Sequence, residues 1–362
     1  MLSILGIGTA VPEHRMDQDQ AFQITNEIAC RTPQQSRLAQ TIYRRAGVKS
    51  RFTVLPHRNA VKWAKESAAE QGIIDGPGPG PTTARRMELY EDLAFPLALD
   101  ASQRALAETG ISPQQITHLI TVSCTGFAAP GVDVQLLSSL GLPNETQRIH
   151  VGFMGCHGAI NGLRAAHALA ALPSTGHVLL CAVELCSLHY RFQWDPERML
   201  GNVLFADGAA ALVCRKAQAE HTGYRVAATG SCLIPDSTDA ISWRIGQHGF
   251  EMSLSARVPD LIAQHLRPWL SGWLERQGTS LDEIRSWVVH PGGPRIVSAV
   301  EESLHLASDA TALSRQVLAE YGNMSSPTVL FILQRMRERQ AAGPCVVLGF
   351  GPGLMAEVAL LM

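Results

Sequence analysis

Short apolar runs alternate with longer helical stretches along most of this chain. Residues 4–9, Ile116-Thr-His-Leu-Ile-Thr-Val122, Gly176-His-Val-Leu-Leu-Cys-Ala182 and Ile284-Arg-Ser-Trp-Val-Val-His290 read as strands. Residues 158–172 and 326–337 read as helices. The apolar C-terminal stretch, 346–362, is interrupted by Gly349, Gly351, Pro352, Gly353 and Glu357, which a bilayer-spanning helix tolerates poorly. It reads as a strand, a turn and another strand. Strands alternating with helices imply α/β layers with a mostly parallel or mixed sheet.

The pattern repeats once at long range. Gly110-Ile-Ser112 and the strand after it line up with Gly278-Thr-Ser280 and its strand at an offset of about 168 residues. The same offset pairs the two helices and, within a residue, the strand at Gly176 with the one at Gly343. Duplication then sets the two helices side by side at the centre, with the strand ends before them lining one crevice. Open sheets bind ligands at such carboxyl ends. Cys156, His290 and Asn323 occupy or adjoin matching helix starts and a strand end, so they are expected to converge there. The boundary between the halves is read at residues 220 and 221, giving units 1–220 and 221–362. The first unit carries an insertion at about 13–95, including the turn-rich Asp75-Gly-Pro-Gly-Pro-Gly-Pro81, a surface loop by composition.

Length agrees with two units, since 362 residues at roughly 150 per domain make about two. Apolar residues at 46% and charged ones at 17% describe a well-packed globule. Thirty Lys and Arg against 32 Asp and Glu leave no basic excess, which disfavours a nucleic-acid partner. No Lys or Arg precedes the apolar start, so the charged region of a secretory signal is missing. The eight cysteines lack paired zinc spacing, and several lie in apolar runs. A cytoplasmic protein without metal, cofactor or membrane is expected.

Gly152-Phe-Met-Gly-Cys156-His-Gly carries the most chemistry. Glycines on both sides of the cysteine permit a tight strand-to-helix turn, and the following helix directs its positive end at the sulfur, favouring a thiolate. The bland alternative is a small buried cysteine in a turn, and Cys124 in Ser123-Cys-Thr-Gly-Phe127 is the rival nucleophile. His290, at a strand end before Pro-Gly-Gly-Pro294, suits a base or an oxyanion donor, whereas His157 reads as structural. Ser325 or Ser326 before Pro327 makes a natural helix cap, and Asn323 ahead of it either serves that turn or presents its amide to a carbonyl oxygen. Gly349-Phe350-Gly351-Pro352-Gly353 is a turn whose backbone can approach a ligand, but it lacks the Lys and Ser or Thr of a phosphate loop.

Together, Gly155-Cys156, Gly201-Asn-Val-Leu-Phe205-Ala-Asp-Gly-Ala, His290-Pro-Gly-Gly-Pro294, Tyr321-Gly-Asn323-Met-Ser-Ser and Gly349 to Gly353 resemble the type III polyketide synthases, the family of chalcone and stilbene synthases and their bacterial relatives. The resemblance implies a thiolase fold, two duplicated halves in five αβαβα layers, in a homodimer. It implies acyl-CoA and malonyl-CoA as substrates. Cys156 would carry the acyl group as a thiolate paired with His290, while His290 and Asn323 stabilise the enolate from decarboxylation and the oxyanion of condensation. Phe205 falls on a gatekeeper position, and Met252 replaces the second gatekeeper, a phenylalanine in plant enzymes. Cys124, Thr125 and Ala129 align with cavity-lining positions, and Ala129 leaves room for a long aliphatic starter. Of the CoA-binding cations Arg45 matches, Leu38 and Thr41 stand where plant enzymes carry charge, and Arg44, Lys49 and Arg51 are candidates to compensate. The expected products are alkylpyrones or alkylresorcinols. The alternatives are a tetrahydroxynaphthalene-type synthase starting from malonyl-CoA, a ketoacyl-carrier-protein synthase III-like or hydroxymethylglutaryl-CoA synthase-like condensing enzyme, a catalytically silent partner and a cysteine hydrolase.

Overall fold

The apolar runs become the strands of one large sheet in the computed structural model, which describes residues 1–74, 76–172, 176–196, 199–218 and 223–362. The first half opens with β1 (Leu2–Ala10), then β2 (His14–Asp17), α1 (Gln18–Ala29), α2 (Pro33–Arg45), β3 (Ser50–Thr53) and α3 (Arg58–Glu70). It continues through α4 (Thr83–Thr109), β4 (Ile116–Ser123), α5 (Val132–Ser139), β5 (Gln147–Gly152) and α6 (Gly158–Leu169) to β6 (His177–Leu185), α7 (Leu200–Leu204) and β7 (Asp207–Lys216). The second half contains β8 (Arg225–Leu233), the hairpin of β9 (Ile241–Gly246) and β10 (Gly249–Leu254), and α8 (Val258–Arg276). After these come β11 (Ser286–Val289), α9 (Pro294–Leu304), α10 (Ala312–Tyr321), α11 (Thr328–Glu338), β12 (Cys345–Gly351) and β13 (Met355–Leu361).

Among the described residues the sheet order is β11-β12-β13-β8-β1-β7-β6-β4-β5. The duplication is visible in it. β1 pairs antiparallel with β7, β7 antiparallel with β6, and β6 parallel with β4. The second half repeats that sequence of senses with β8, β13, β12 and β11. The two halves join where Leu2 and Ser3 pair with Val226 and Arg225.

Side-chain alternation along the strands builds the layers. Ile120, Val122, Leu180 and Leu212 face one core that also takes α6, α11, and Val288, Val347 and Ala359 of the other half. The opposite faces, Leu119, Leu179 and Val213, pack on α4 and α5, and Trp287, Leu348 and Val358 pack on α8 and α9. The order is helix, half-sheet, paired helices, half-sheet, helix, the two half-sheets being the two ends of the one nine-stranded sheet. Small residues let α4 lie close to β1: Ala101 and Ala105 are fully buried, and a Cβ on Gly6 or Gly8 would strike their backbone.

Two sequence expectations change, and a third falls outside the described residues. The helix ending at Gly110 reaches back to Thr83, inside the stretch read as insertion. Gly78 and Gly80 are buried rather than at the surface, because without side chains they fit against Ser67, Ala68 and Phe192. Asp75 and the proposed boundary at 220 and 221 lie outside the described residues. Among the described residues no helix is long and apolar enough to cross a membrane.

Candidate active site

Cys156 sits in a single turn of 3-10 helix, Gly155 to His157, just before α6. Gly155 has φ 71°, and a Cβ there would lie 2.5 Å from Cδ of Pro352, so the turn needs glycine on both counts. His290 stands at the end of β11, its N–H donating to the Leu348 carbonyl at 2.8 Å. Asn323 lies between α10 and α11, held by two backbone bonds: its N–H to the Leu204 carbonyl (2.8 Å) and its carbonyl from the Ala206 N–H (2.9 Å). The three line one cavity of about 750 Å³ with Cys124, Thr125 and Phe350. The convergence expected from the repeat is therefore present.

The donor geometry suits an oxyanion. Asn323 Oδ1 accepts the Ser325 N–H at 2.8 Å, which leaves the Nδ2 hydrogens for the cavity. Both ring nitrogens of the buried His290 lack a hydrogen-bond partner among the described residues. An amide donor beside the sulfur and an imidazole free of protein partners, lining one cavity, suit a thioester oxygen. Burial holds the His290 ring neutral, its pKa pushed down to about 3. Burial also pushes the Cys156 thiol up to about 11, against hydrogen bonds from Ser325 and Asn323 that favour the thiolate. Desolvation thus works against the thiolate expected of Cys156, while those two hydrogen bonds work for it.

The other predicted residues divide. Phe205 and Met252 line both this cavity and a second one that is also walled by Ser187, Tyr190 and Arg191, but not the outer groove around Arg45. Cys124, the rival nucleophile, has its thiol 3.4 Å from Ser325 Oγ and its pKa raised well above the ordinary value by burial and then by Glu184. Thr125 is engaged with Glu184 at 2.7 Å. Phe350, Gly351 and Pro352 line the cavity, whereas Gly349 faces His157 and Ile160, and Gly353 turns toward Leu233. Ala129 is exposed and outside the cavity, because the chain leaves for the surface after Gly126, which packs on the Tyr90 ring. His157 is structural, Nδ1 bonded to Asn161 at 2.7 Å. Ser326 does not cap α11 with its side chain but donates to Glu184 at 2.6 Å.

A wider groove of about 1960 Å³ shares Leu204, Leu254, Gly292 and Ile296 with the inner cavity and opens outward past Arg45 and Arg295. Leu38 and Thr41 line it without charge. Arg44 and Lys49 are exposed but away from it, since α2 turns Arg44 off this face and Lys49 lies by Glu320. Arg51 is buried with its terminal nitrogens turned to backbone carbonyls, so it does not extend the groove's charge. Arg295, at the start of α9, was missed by the sequence reading. So were Trp243, whose Nε1 donates to the Cys124 carbonyl at 2.7 Å, and Glu184, which ties Cys124, Thr125 and Ser326 together beneath the cavity. Only the acid buried within an apolar strand could have drawn attention to Glu184.

Comparison with known proteins decides the family. Residues 1–217 match the N-terminal domain of chalcone and stilbene synthases, and residues 225–362 match the C-terminal domain. The chain belongs to the chalcone and stilbene synthase family. Among curated relatives, the 1,3,6,8-tetrahydroxynaphthalene synthase of Streptomyces peucetius subsp. caesius is 33% identical over 99% of this chain and 92% of its own length. An alpha-pyrone synthesis polyketide synthase-like protein of Mycobacterium tuberculosis is 31% identical over 98% and 89%. Among solved structures, polyketide synthase PKS-I of the brown alga Ectocarpus siliculosus superposes with a TM-score of 0.88 at 29% identity, covering 99% of this chain and 97% of that one. The type III polyketide synthase therefore has the thiolase fold expected from its motifs.

Proposed function

We propose that this type III polyketide synthase loads a fatty acyl group from acyl-CoA onto Cys156 and extends it with malonyl-CoA to alkylpyrones or alkylresorcinols. The observation that carries the reading is the meeting of Cys156, His290 and Asn323 in one cavity, with the His290 ring nitrogens unpartnered among the described residues and the Asn323 amide turned toward Cys156. The Cys156 proton passes to His290 as sulfur attacks the acyl-CoA carbonyl, and His290 returns it to the departing CoA sulfur. Malonyl-CoA then places its thioester oxygen between the Asn323 amide and the His290 N–H. Loss of carbon dioxide leaves an enolate held by those donors. Its carbon attacks the Cys156 thioester, the oxyanion collapses, and the Cys156 sulfur leaves as a thiolate that reattacks the next acyl-CoA or takes a proton from water, the lengthened chain now being on CoA. No added cofactor enters any of these steps.

The cavity's largely apolar wall, with Leu204, Ile241, Leu254 and Ile296, supports an aliphatic starter. The similarity to an alpha-pyrone-type relative supports the lactone product, and that to a tetrahydroxynaphthalene synthase supports malonyl-CoA itself as starter in a second reading. Exposed apolar side chains on and beside the edge strand β5, Phe127, Ile149, Phe153 and Met154, support a homodimer with that edge covered. The protein incubated with malonyl-CoA and acyl-CoA starters of increasing length should yield pyrones or resorcinols by mass spectrometry, and Cys156→Ala should abolish extension. Release of carbon dioxide and free acid alone would refute the reading. Product formed only when no acyl-CoA is added would favour the second.

A further inference from the structure

We propose that Arg51 is a positioning residue for the condensation, fixing through one backbone segment both the Phe205 gatekeeper and the Asn323 amide. The inference rests on the role given above to Asn323. Arg51 is 2% exposed. Its guanidinium donates to the Asn202 carbonyl at 2.7 Å and the Phe205 carbonyl at 3.0 Å, and also to the Val203 carbonyl and Gln18 Oε1. The helix it caps, α7, has five residues, too few to persist without outside contacts. Its last carbonyls have no partner within the helix, and a cation at that end meets them and the negative end of the helix dipole together.

The same short segment is the backbone partner of the catalytic loop. Phe205 and Asn323 form a parallel bridge flanked by the Asn323 N–H to Leu204 and the Ala206 N–H to Asn323 bonds. Beneath that bridge lies Gly322, where an added Cβ would sit 3.1 Å from the Leu204 carbonyl and 3.4 Å from Cβ of Arg51. The Arg51 stem thus lies where a side chain on the residue before Asn323 would go, and its head holds the opposing end of α7. The planar fork reaches three carbonyls at once, which a lysine ammonium on a flexible stem cannot reproduce. Loosening the bridge moves the ring at the passage and the amide at the oxyanion site together.

The test is Arg51→Lys in the full chain. Acylation of Cys156 by an acyl-CoA, read by intact mass, counts the competent sites. Per competent site, turnover should fall about tenfold to a hundredfold, the cost of misplacing a catalytic group by an ångström or less. The ratio of carbon dioxide released to carbon–carbon bonds formed should rise by about threefold or more, because the enolate is then held off line from the thioester. The KM for the acyl-CoA starter should change far less. If Arg51→Lys fails to fold, Gln18→Leu, which removes one acceptor of the guanidinium and a donor to Val203, should raise the same ratio in smaller measure. Wild-type coupling and product lengths in whichever variant folds, with Cys156→Ala inactive, would overturn the role of Arg51 alone. Extension surviving in Cys156→Ala would instead overturn the site assignment beneath it.

Discussion

Gly351→Ala isolates steric support of the nucleophile from backbone strain. Gly351 has φ −151° and ψ −171°, extended values that alanine adopts freely. The space is the obstacle: a Cβ there would lie 2.5 Å from His157 Nε2 and 2.8 Å from the Met154 carbonyl. Ordinary non-bonded contact lies near ~3.5 Å or more, so either the imidazole or β12 must yield by about 1 Å. His157 is bonded in sequence to Cys156, and β12 carries Phe350 into the cavity, so either movement reaches the sulfur or its surroundings. Overpacking of this kind costs about 1–3 kcal/mol of stability. Displacement of the nucleophile by about 1 Å costs on the order of a hundredfold in rate. Urea unfolding should show the first loss, and single-turnover acylation of Cys156 followed by intact mass should show the second. His157→Ser in the same chain removes the ring from the clash and should restore part of both. Stability within about 0.5 kcal/mol of wild type together with unchanged acylation would refute the packing argument.

Acid should destabilise the fold with a sign fixed by its buried groups. His290 and His189 are both held near pKa 3 by burial, so below an unfolded value of about 6.5 the unfolded chain takes up protons that the folded one refuses. Stability is therefore lost as pH falls below 6.5, at about 1.4 kcal/mol per pH unit for each histidine. Asp207, raised by burial to about 6, gains its proton first in the folded state and offsets one of them between pH 6 and the carboxylate range. Urea titrations at stepped pH should show this slope, and His189→Asn should lower it by about one histidine's share; an unchanged slope would sink the assignment. Removing groove charge should weaken CoA binding without touching chemistry: Arg295→Ala should raise the KM for acyl-CoA by about tenfold at low salt, with the gap closing at high salt, while turnover at saturation holds. A fall in saturated turnover with unchanged KM would place Arg295 elsewhere.

The repeat at 168 residues and the strand alternation were enough to determine duplicated α/β layers and the meeting of Cys156, His290 and Asn323, while the five-layered arrangement followed from the family resemblance. Both are local patterns, because burial on one or both faces of an element leaves its period in the sequence. The family motifs added the roles. What the chain could not show is anything set by desolvation or by contacts between distant segments. The helix end beside Cys156 is legible, but the burial that works against a thiolate there belongs to the assembled cavity. Arg44, Arg45, Lys49 and Arg51 look alike as a run of cations, yet helix phase and packing leave Arg45 in the groove, expose two elsewhere and bury Arg51 under the Phe205 segment. Glu184, Trp243 and Arg295 reach the site from a strand, a hairpin and a helix start with no motif around them. Sequence fixes periodicity and chemical type residue by residue; dielectric and proximity exist only once the two halves have closed on each other.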